Sequence, residues 1–298
     1  MRQPMRFLVI VLVVQAALAI VFIVLVATGN VPFVHDDAHD AGAARKVDRF
    51  DGRAAYRLVA EQVRIGPRPA GSEPSRRLAE RLRRLLPKGR FHPVPGGLRN
   101  VIGSVPGRGR GYVVLGAHYD SKDIPGFVGA EDGGSGTAVV TQLARTIKPH
   151  RLRRTVVFAL FDGEEAPKGV PDSQFEQRGL RGSKVAAPRY RRARAMILLD
   201  FVGQKGLRVP HEELSDQGLW QKLRRAARRV GVGRVFPDRE QGAVEDDHLP
   251  FIRQGVPSID LIDFDFPCWH KTCDDLSVIS ERSLDASGEA VYRLLASL

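Results

Sequence analysis

The stretches VVLGAHYDS at residues 113–121 and TVVFALFDGEEA at residues 155–166 decide the predicted fold. Each begins as an apolar run of strand length and stops at side chains that can ligate a metal ion or transfer a proton. A helix is predicted between them, over residues 136–147, and a strand–helix–strand unit favours a parallel pair. Ligands of open α/β folds bind at the carboxyl edge of the parallel strands. The sequence therefore predicts a site at that edge.

Strand and helix signals alternate on both sides of this unit. Predicted strands cover residues 91–94, 98–104, 111–117, 155–161, 195–201 and 256–262, and predicted helices cover residues 136–147, 175–187, 215–230, 247–254 and 284–295. Upstream, Asp51 and Ser72 are predicted to cap two further helices. A PGRG turn at residues 106–109 predicts that this part of the sheet is antiparallel. We expect a three-layer α/β/α sandwich with a mixed, mostly parallel central sheet.

The N-terminal residues form a separate unit. Residues 7–27 contain no charged side chain, and this length is enough for a helix to cross a bilayer. Arg2 and Arg6 precede the apolar segment, so we interpret residues 1–29 as an uncleaved signal-anchor whose N-terminal end is cytoplasmic. Residues 30–48 are then a linker, and residues 49–298 an extracytoplasmic catalytic domain. Secretion after cleavage near residues 27–29 is the alternative.

The composition is that of an ordinary globular protein, with 298 residues, 43% of them hydrophobic, and a net charge of +12. The basic residues are scattered over polar helix faces and do not interleave with aromatic residues as in single-strand-binding platforms. Nucleic acid is therefore not an expected partner. Cys268 and Cys273 are the only two cysteines. An exported domain allows a disulfide between them, and free thiols remain the alternative.

Five candidate metal ligands fall just beyond strand signals: His118, Asp132, Glu165, Asp200 and His270. Carboxylate oxygens combined with imidazole suit zinc. Asp120 is placed to accept the second ring N–H of His118. Glu164 beside Glu165 offers a division of labour in which one carboxylate holds the metal and the other transfers protons. Each residue alone has an ordinary structural explanation, but their coincidence at several strand ends favours a metal site.

A further short motif is weaker evidence for a metal site. The HEE stretch at residues 211–213 lacks the second histidine of a zinc-protease helix, so we interpret it as loop.

Six motifs occur in the order found in the family-28 zinc metallopeptidases: HYDS (118–121), FVGAEDGGSG (127–136), FDGEEA (161–166), LLDF (198–201), EDDHLPF (245–251) and WH (269–270). Over about residues 50–298 the sequence most resembles the glutaminyl-peptide cyclotransferase branch of that family. The resemblance implies one zinc ion bound by Asp132, Glu165 and His270. It also implies an acid/base role for Glu164. The remaining implied roles are a shared hydrogen-bond network for Asp200 and Asp246, and a substrate-pocket wall for Phe266 and Trp269.

The resemblance implies cyclisation of the N-terminal Gln of peptides or proteins, with release of ammonia. A zinc aminopeptidase is the alternative, in which Asp132 bridges two zinc ions and His118 and Asp200 complete the second site. The sequence departs from the secreted animal cyclases at two positions. Ala117 stands where they have a cysteine, so their disulfide is absent. Asp260 stands where they have a pocket histidine, which favours a peptidase-like site. A non-catalytic peptide-binding domain is a weaker alternative because it has no need of a free base beside the metal.

Overall fold

The computed structural model describes residues 49–298, which all lie in one structural unit. Its strands are β1 (Arg90–Val94), β2 (Leu98–Val105), β3 (Tyr112–His118), β4 (Thr155–Phe161), β5 (Met196–Leu199), β6 (His211–Glu212), β7 (Glu240–Gln241) and β8 (Ser258–Leu261). Its α-helices are α1 (Gly52–Ile65), α2 (Glu73–Leu85), α3 (Ser135–Thr146), α4 (Phe175–Arg178), α5 (Arg181–Arg189), α6 (Gln217–Arg229), α7 (Leu249–Arg253) and α8 (Glu281–Ser297).

A six-stranded sheet with the order β1-β2-β4-β3-β5-β8 forms the middle layer. Strands β4, β3, β5 and β8 are parallel, whereas β1 and β2 are antiparallel additions at one edge. Helices α1, α3, α6 and α8 pack together on one face, and α5 and α7 pack on the other. The predicted three-layer α/β/α architecture with a mixed, mostly parallel sheet is confirmed.

The strands on either side of residues 106–109 run antiparallel, as predicted, but they do not pair with each other. Strand β2 pairs with β4, and β3 lies on the far side of β4. The connection crosses the start of β4, where Arg108 and Gly109 donate backbone hydrogen bonds to the carbonyls of Leu152 and Arg153. The PGRG segment therefore crosses β4 and leads into β3, which lies between its parallel neighbours β4 and β5.

Both predicted helix caps are present. The Asp51 side chain accepts a hydrogen bond from the backbone N–H of Ala54, and Ser72 accepts one from Ser75. The single helix predicted over residues 175–187 is instead divided into α4 and α5. Leu180 adopts a left-handed conformation with φ of 54°, and its N–H donates to the Glu164 carbonyl. The interruption therefore contacts the turn that follows β4.

The predicted signal-anchor at residues 1–29 and the linker at residues 30–48 lie outside the described residues. Among residues 49–298, no helix has both the length and the hydropathy needed to cross a bilayer.

The start of α3 lies against β5 at Gly136 and against the preceding loop at Gly134, because neither glycine has a side chain to keep them apart. A Cβ atom on Gly136 would lie 2.0 Å from the Leu199 carbonyl oxygen, and one on Gly134 would lie 2.3 Å from the Ala130 oxygen. Both neighbours are backbone atoms, which cannot rotate away. This close approach brings the loop that carries Asp132 to the carboxyl edge of the sheet.

We expect Gly136→Ala to lower the free energy of unfolding by about 3 kcal/mol, because helix and strand must separate. Gly218→Ala in α6 is the matched control, since a Cβ there would meet nothing closer than Asp216 Oδ1 at 3.4 Å. That control should change stability by less than about 1 kcal/mol, in the stabilising direction. Urea unfolding of both variants measures the difference, and equal effects would contradict the close-packing argument.

Candidate active site

Five potential metal ligands meet at the carboxyl edge of the parallel strands. His118 is the last residue of β3, Asp200 directly follows β5, and Glu165 lies in the turn after β4. They form two groups, within each of which the ligand atoms lie within 4.8 Å of one another: Asp132, Glu165 and His270, and then His118, Asp132 and Asp200. Asp132 belongs to both groups because its two carboxylate oxygens face different histidines.

The first group has the donor atoms of a divalent-cation site. His270 Nε2 lies 3.5 Å from Asp132 Oδ2 and 3.4 Å from Glu165 Oε1. Among the described residues nothing donates a well-aligned hydrogen bond to the buried Glu165 Oε1, while Glu165 Oε2 is 2.9 Å from Lys122 Nζ. Burial alone would raise the pKa of Glu165, but His270 and Lys122 lower it. A free carboxylate oxygen beside an imidazole and a second carboxylate fits a cation such as zinc.

The second group is held together by a hydrogen bond in this structure. His118 Nε2 lies 3.1 Å from Asp200 Oδ1 and 3.4 Å from Asp132 Oδ1. Burial by itself would lower the pKa of His118, but Glu164 and the carboxylates hydrogen-bonded to the ring raise it well above its ordinary value. The nitrogen that contacts Asp200 is also the one that would ligate a second cation.

Glu164 stands beside the ligand Glu165 but belongs to neither ligand group. Its side chain lines the cavity, and its Oε2 atom lies 3.7 Å from His118 Nδ1. Burial raises the pKa of Glu164 well above its usual value, and the negative charges of Glu165 and Asp246 add to the rise. A buried carboxyl group with free lone pairs and a raised pKa is suited to accept and return a proton.

Asp120 positions the turn that carries Glu164 and Glu165. Its two carboxylate oxygens accept backbone hydrogen bonds from Gly163 at 3.0 Å and from Glu164 and Glu165 at 3.2 Å each. His118 Nδ1 is 3.7 Å from Asp120 Oδ1, which is longer than a hydrogen bond. The Asp120 carboxylate therefore accepts hydrogen bonds from the backbone N–H groups of the turn after β4. The sequence predicted instead that it accepts one from the His118 ring.

Two residues that sequence reasoning missed hold the loop around Asp132. The Asp274 carboxylate accepts backbone hydrogen bonds from Glu131 at 2.7 Å and Asp132 at 3.1 Å. The buried Arg68 guanidinium donates to the Tyr119 carbonyl and to the carbonyls of residues 128 and 129. Both contacts join segments far apart in the chain, so no local pattern indicates them.

A buried acidic network adjoins the cavity. Asp246 lines the cavity, and the carboxylate of the buried Asp260 lies 4.0 Å from His248 Nδ1. Burial and the charge of Asp246 raise the pKa of Asp260 well above its usual value. His248 Nε2 is 3.2 Å from Glu212 Oε2. Glu212 belongs to β6 and is completely buried, so the interpretation of residues 211–213 as loop missed its partnership with His248.

The cavity above the ligand groups has a volume of about 570 Å³ and an aromatic wall. Trp269 lines the cavity, as the resemblance implies, and stacks on the His270 ring with centroids 4.4 Å apart. Phe266 does not line the cavity, because it is buried against Phe201 at a centroid distance of 5.6 Å. Phe264 and Phe201 line it instead, and the sequence predicted a place in the pocket wall for neither of them.

A disulfide between Cys268 and Cys273 encloses His270 in a short loop. The cysteines are therefore paired, and the free-thiol alternative is wrong. The His270 backbone has a φ of 53°, a left-handed conformation that is uncommon for residues other than glycine. Within the loop the Lys271 N–H donates to the Cys268 carbonyl. The covalent loop and this turn together aim the His270 ring at Asp132 and Glu165.

Known proteins are similar to this chain in both sequence and fold. The model of peptidase family M28 matches residues 100–295. A glutaminyl-peptide cyclotransferase of Drosophila melanogaster is 30% identical over 227 residues, which are 66% of this chain and 63% of the relative. The chain thus spans slightly less than two thirds of that relative.

Solved structures match over more of their length. The glutaminyl cyclase of Porphyromonas gingivalis has a TM-score of 0.72 and 31% identity over 84% of this chain and 99% of its own. A Zn-dependent exopeptidase from Parabacteroides distasonis also has a TM-score of 0.72, with 28% identity over 84% of this chain and 99% of its own.

We expect replacement of both cysteines, Cys268→Ser with Cys273→Ser, to weaken divalent-cation binding about tenfold, because His270 loses the constraint that aims its ring. Titration of metal-free protein with Co²⁺, followed by its visible absorption, gives the affinity. The control Ser277→Ala lies in the same segment beyond the disulfide loop, and it should bind Co²⁺ as the parent does. Unchanged Co²⁺ affinity in the double variant would show that the loop is not needed to place His270.

Proposed function

The chain belongs to peptidase family M28, and we propose that it is a zinc-dependent glutaminyl-peptide cyclotransferase. It would convert the N-terminal Gln of peptides or proteins to pyroglutamate and release ammonia. The observation that carries the proposal is the buried, uncommitted carboxyl group of Glu164 beside the ligand group of Asp132, Glu165 and His270. The similarity to proteins named as glutaminyl cyclases supports it.

The first ligand group fits one zinc ion. Two carboxylates and one imidazole provide three protein ligands, which leaves a coordination position for substrate. Zinc bound there would polarise the γ-amide carbonyl of the substrate Gln. Lys122, paired with Glu165, would keep that carboxylate ionised and oriented.

The substrate brings its own nucleophile, so the protein has to orient it and to move one proton. The α-amine nitrogen attacks the γ-carbonyl carbon, a C–N bond closes the five-membered ring, and the bond to the amide nitrogen breaks. Glu164 takes a proton from the attacking nitrogen and returns it to the departing one, which leaves as ammonia. Because nucleophile and electrophile belong to one residue, the reaction gains from a high effective concentration.

Asp200 and Asp246 would keep Glu164 in this role. Both are buried and line the cavity; burial raises the pKa of each, and the charge of Asp246 adds to the rise at Asp200. When the charge of one carboxyl group raises the pKa of another, one of them can retain a proton and act as a hydrogen-bond donor. Asp200 also holds His118 at 3.1 Å, which fixes the ring that faces Glu164.

A zinc aminopeptidase is the second candidate, and the second ligand group favours it. His118, Asp132 and Asp200 offer ligand atoms within 4.8 Å of one another, so that Asp132 could bridge two zinc ions. Hydrolysis needs an activated water, which a pair of metal ions supplies better than one. The similarity to a Zn-dependent exopeptidase supports this alternative.

We also propose that the catalytic domain acts outside the cytoplasm, anchored by residues 1–29 or secreted after their removal. The Cys268–Cys273 disulfide supports this placement, because structural disulfides persist in oxidising compartments.

Glu164→Gln should lower kcat by about a thousandfold or more while metal content stays unchanged, because the amide cannot accept the proton. Ammonia release and metal analysis measure the two quantities on the same sample. Glu245→Gln is the matched control: it lines the same cavity from an exposed position, and its activity should stay within about threefold of the parent. Near-normal activity of Glu164→Gln would remove Glu164 from the mechanism.

Metal stoichiometry measured beside two activities separates the two candidates. We expect one zinc per chain, with ammonia released from Gln-peptides and no hydrolysis of an aminoacyl anilide. Two zinc ions per chain with anilide hydrolysis would instead identify the aminopeptidase. His118→Ala sharpens the test, because loss of one zinc ion from a two-zinc protein would locate the second ion at His118.

A further inference from the structure

The segments that precede strands β3, β4 and β5 carry basic side chains and no acidic ones. Residues 106–111, 148–154 and 189–195 contain ten lysine and arginine residues and neither aspartate nor glutamate. These ten are Arg108, Arg110, Lys148, Arg151, Arg153, Arg154, Arg189, Arg191, Arg192 and Arg194. All are exposed except Arg154, which is half-buried. We call the three segments the amino edge, because they lie at the amino ends of the parallel strands.

The three segments of the amino edge lie side by side. The Arg108 N–H donates a hydrogen bond to the Leu152 carbonyl, which joins the first segment to the second. All three meet at Gly111, where a Cβ atom would lie 3.7 Å from Arg194 Nε and 3.9 Å from Arg154 Nε. The sequence indicated basic residues scattered over helix faces, but the fold gathers these ten into one patch.

The positive charges of the amino edge have no acidic partners. Elsewhere arginines pair with carboxylates, as Arg77 does with Glu73 at 3.2 Å. Among the ion pairs of residues 49–298, none involves the ten side chains of the edge. Arg154 Nε is buried and has no hydrogen-bond partner in this part of the chain. Concentrated positive charge without compensation indicates a surface for a polyanion.

The other end of the parallel strands has the opposite charge. The cavity lies at their carboxyl ends, and Asp172, Glu245 and Asp265 line it from exposed positions. Among the described residues that line the cavity, Lys122 is the only lysine or arginine, and it is paired with Glu165. An anionic surface would therefore attract the amino edge and repel the cavity rim, which gives the domain a preferred orientation.

Nucleic acid is a poorer match for the amino edge than a bilayer. Tyr190 is the only phenylalanine, tyrosine or tryptophan in the three segments. Its ring stacks on His92 at 6.2 Å with the planes 5° apart, and it meets the Tyr112 ring edge-on at 6.1 Å. It is therefore not free to stack on a base, as binding of single strands requires. An anionic bilayer requires only positive charge near its phosphate groups.

The sequence also predicts that the domain stays close to a bilayer. Residues 7–27, which lie outside the described residues, are apolar and long enough to cross one. A chain as long as residues 30–48 extends at most about 65 Å, so it would keep the domain within reach of the surface. A tethered domain docks readily, because its concentration beside the surface is high.

We propose that the amino edge docks on the headgroups of an anionic phospholipid bilayer and turns the cavity away from it. The lipid phosphates supply the acidic partners that the ten basic side chains lack within the domain. The cavity, at the opposite ends of the strands, then faces the solution from which peptide N-termini arrive. This inference goes beyond the proposed activity and holds for a cyclase and for an aminopeptidase alike.

Resonance energy transfer to labelled lipid headgroups tests this orientation in the full-length chain. A dye is attached at His150→Cys in the amino edge or, in a second sample, at Ser173→Cys beside the cavity residue Asp172; both positions are exposed. Cys268 and Cys273 form a disulfide and do not take the dye. The vesicles contain phosphatidylcholine, alone or in an equimolar mixture with phosphatidylglycerol. We expect phosphatidylglycerol to raise transfer from His150→Cys about twofold but not from Ser173→Cys, and about 1 M NaCl to remove the rise.

The edge variant removes one charge from each segment by the substitutions Arg110→Gln, Arg151→Gln and Arg192→Gln. Each basic residue at an anionic bilayer strengthens binding about fivefold, so docking should weaken about a hundredfold and the rise in transfer should disappear. The matched control removes the same charge from exposed residues outside the edge that also lack an ion pair among the described residues: Arg64→Gln, Lys168→Gln and Arg178→Gln. The control should respond to phosphatidylglycerol as the parent does, and thermal unfolding reports that both variants are folded.

Equal transfer from His150→Cys in the two kinds of vesicle, or an edge variant that responds as the parent does, overturns the proposal. A labelled single-stranded oligonucleotide is the competing ligand. If it binds the parent but not the edge variant, and phosphatidylglycerol has no effect, the amino edge takes nucleic acid and the bilayer proposal is wrong. None of these measurements uses enzyme activity, so their failure leaves the proposed function standing.

Discussion

Repulsion among buried carboxylates is the constraint on which the site depends. Asp132, Glu164, Glu165, Asp200 and Asp246 are all buried around one cavity, and their charges cannot coexist there without compensation. Three kinds of compensation are available in this fold: a bound cation, protons shared between neighbouring carboxyl groups, and the few buried bases. A bound cation neutralises only the carboxylates whose oxygens point at it. The repulsion therefore divides the carboxylates into metal ligands and groups that carry protons.

Backbone N–H groups hold the arrangement in place. Asp120 accepts three of them from the turn after β4, and Asp274 accepts two from the loop that carries Asp132. These carboxylates belong to neither ligand group, and their hydrogen bonds fix the segments that carry the ligands. Rigid support of this kind matters because a ligand displaced by a fraction of an ångström weakens both metal binding and proton transfer.

Local sequence patterns were sufficient for the six strands of the main sheet and for the five candidate metal ligands, because an apolar strand that ends in polar residues marks its own carboxyl end. They were insufficient where contacts join distant segments. Asp274 binds the backbone of Glu131 across 143 residues, and Glu212 meets His248 from a two-residue strand. Phe264 lines the cavity and Phe266 does not, because of the path that the loop after β8 takes. Neither hydrophobicity nor residue spacing predicts that path. The strand order across residues 106–109 was missed for the same reason.

The proposed one-zinc chemistry and the two-zinc alternative differ in what His118 Nε2 binds, which is a proton in the first and a metal ion in the second. In this structure that nitrogen lies within hydrogen-bond distance of Asp200 Oδ1, and a ring nitrogen that carries a proton cannot also ligate a metal ion. If the proton stays, His118 compensates part of the carboxylate charge and Asp200 remains tied to it, which leaves a single site around His270. If a cation replaces the proton, His118, Asp132 and Asp200 become ligands and water can be activated. The proposed cyclase and its aminopeptidase alternative would therefore differ in whether a proton or a second cation occupies this imidazole nitrogen.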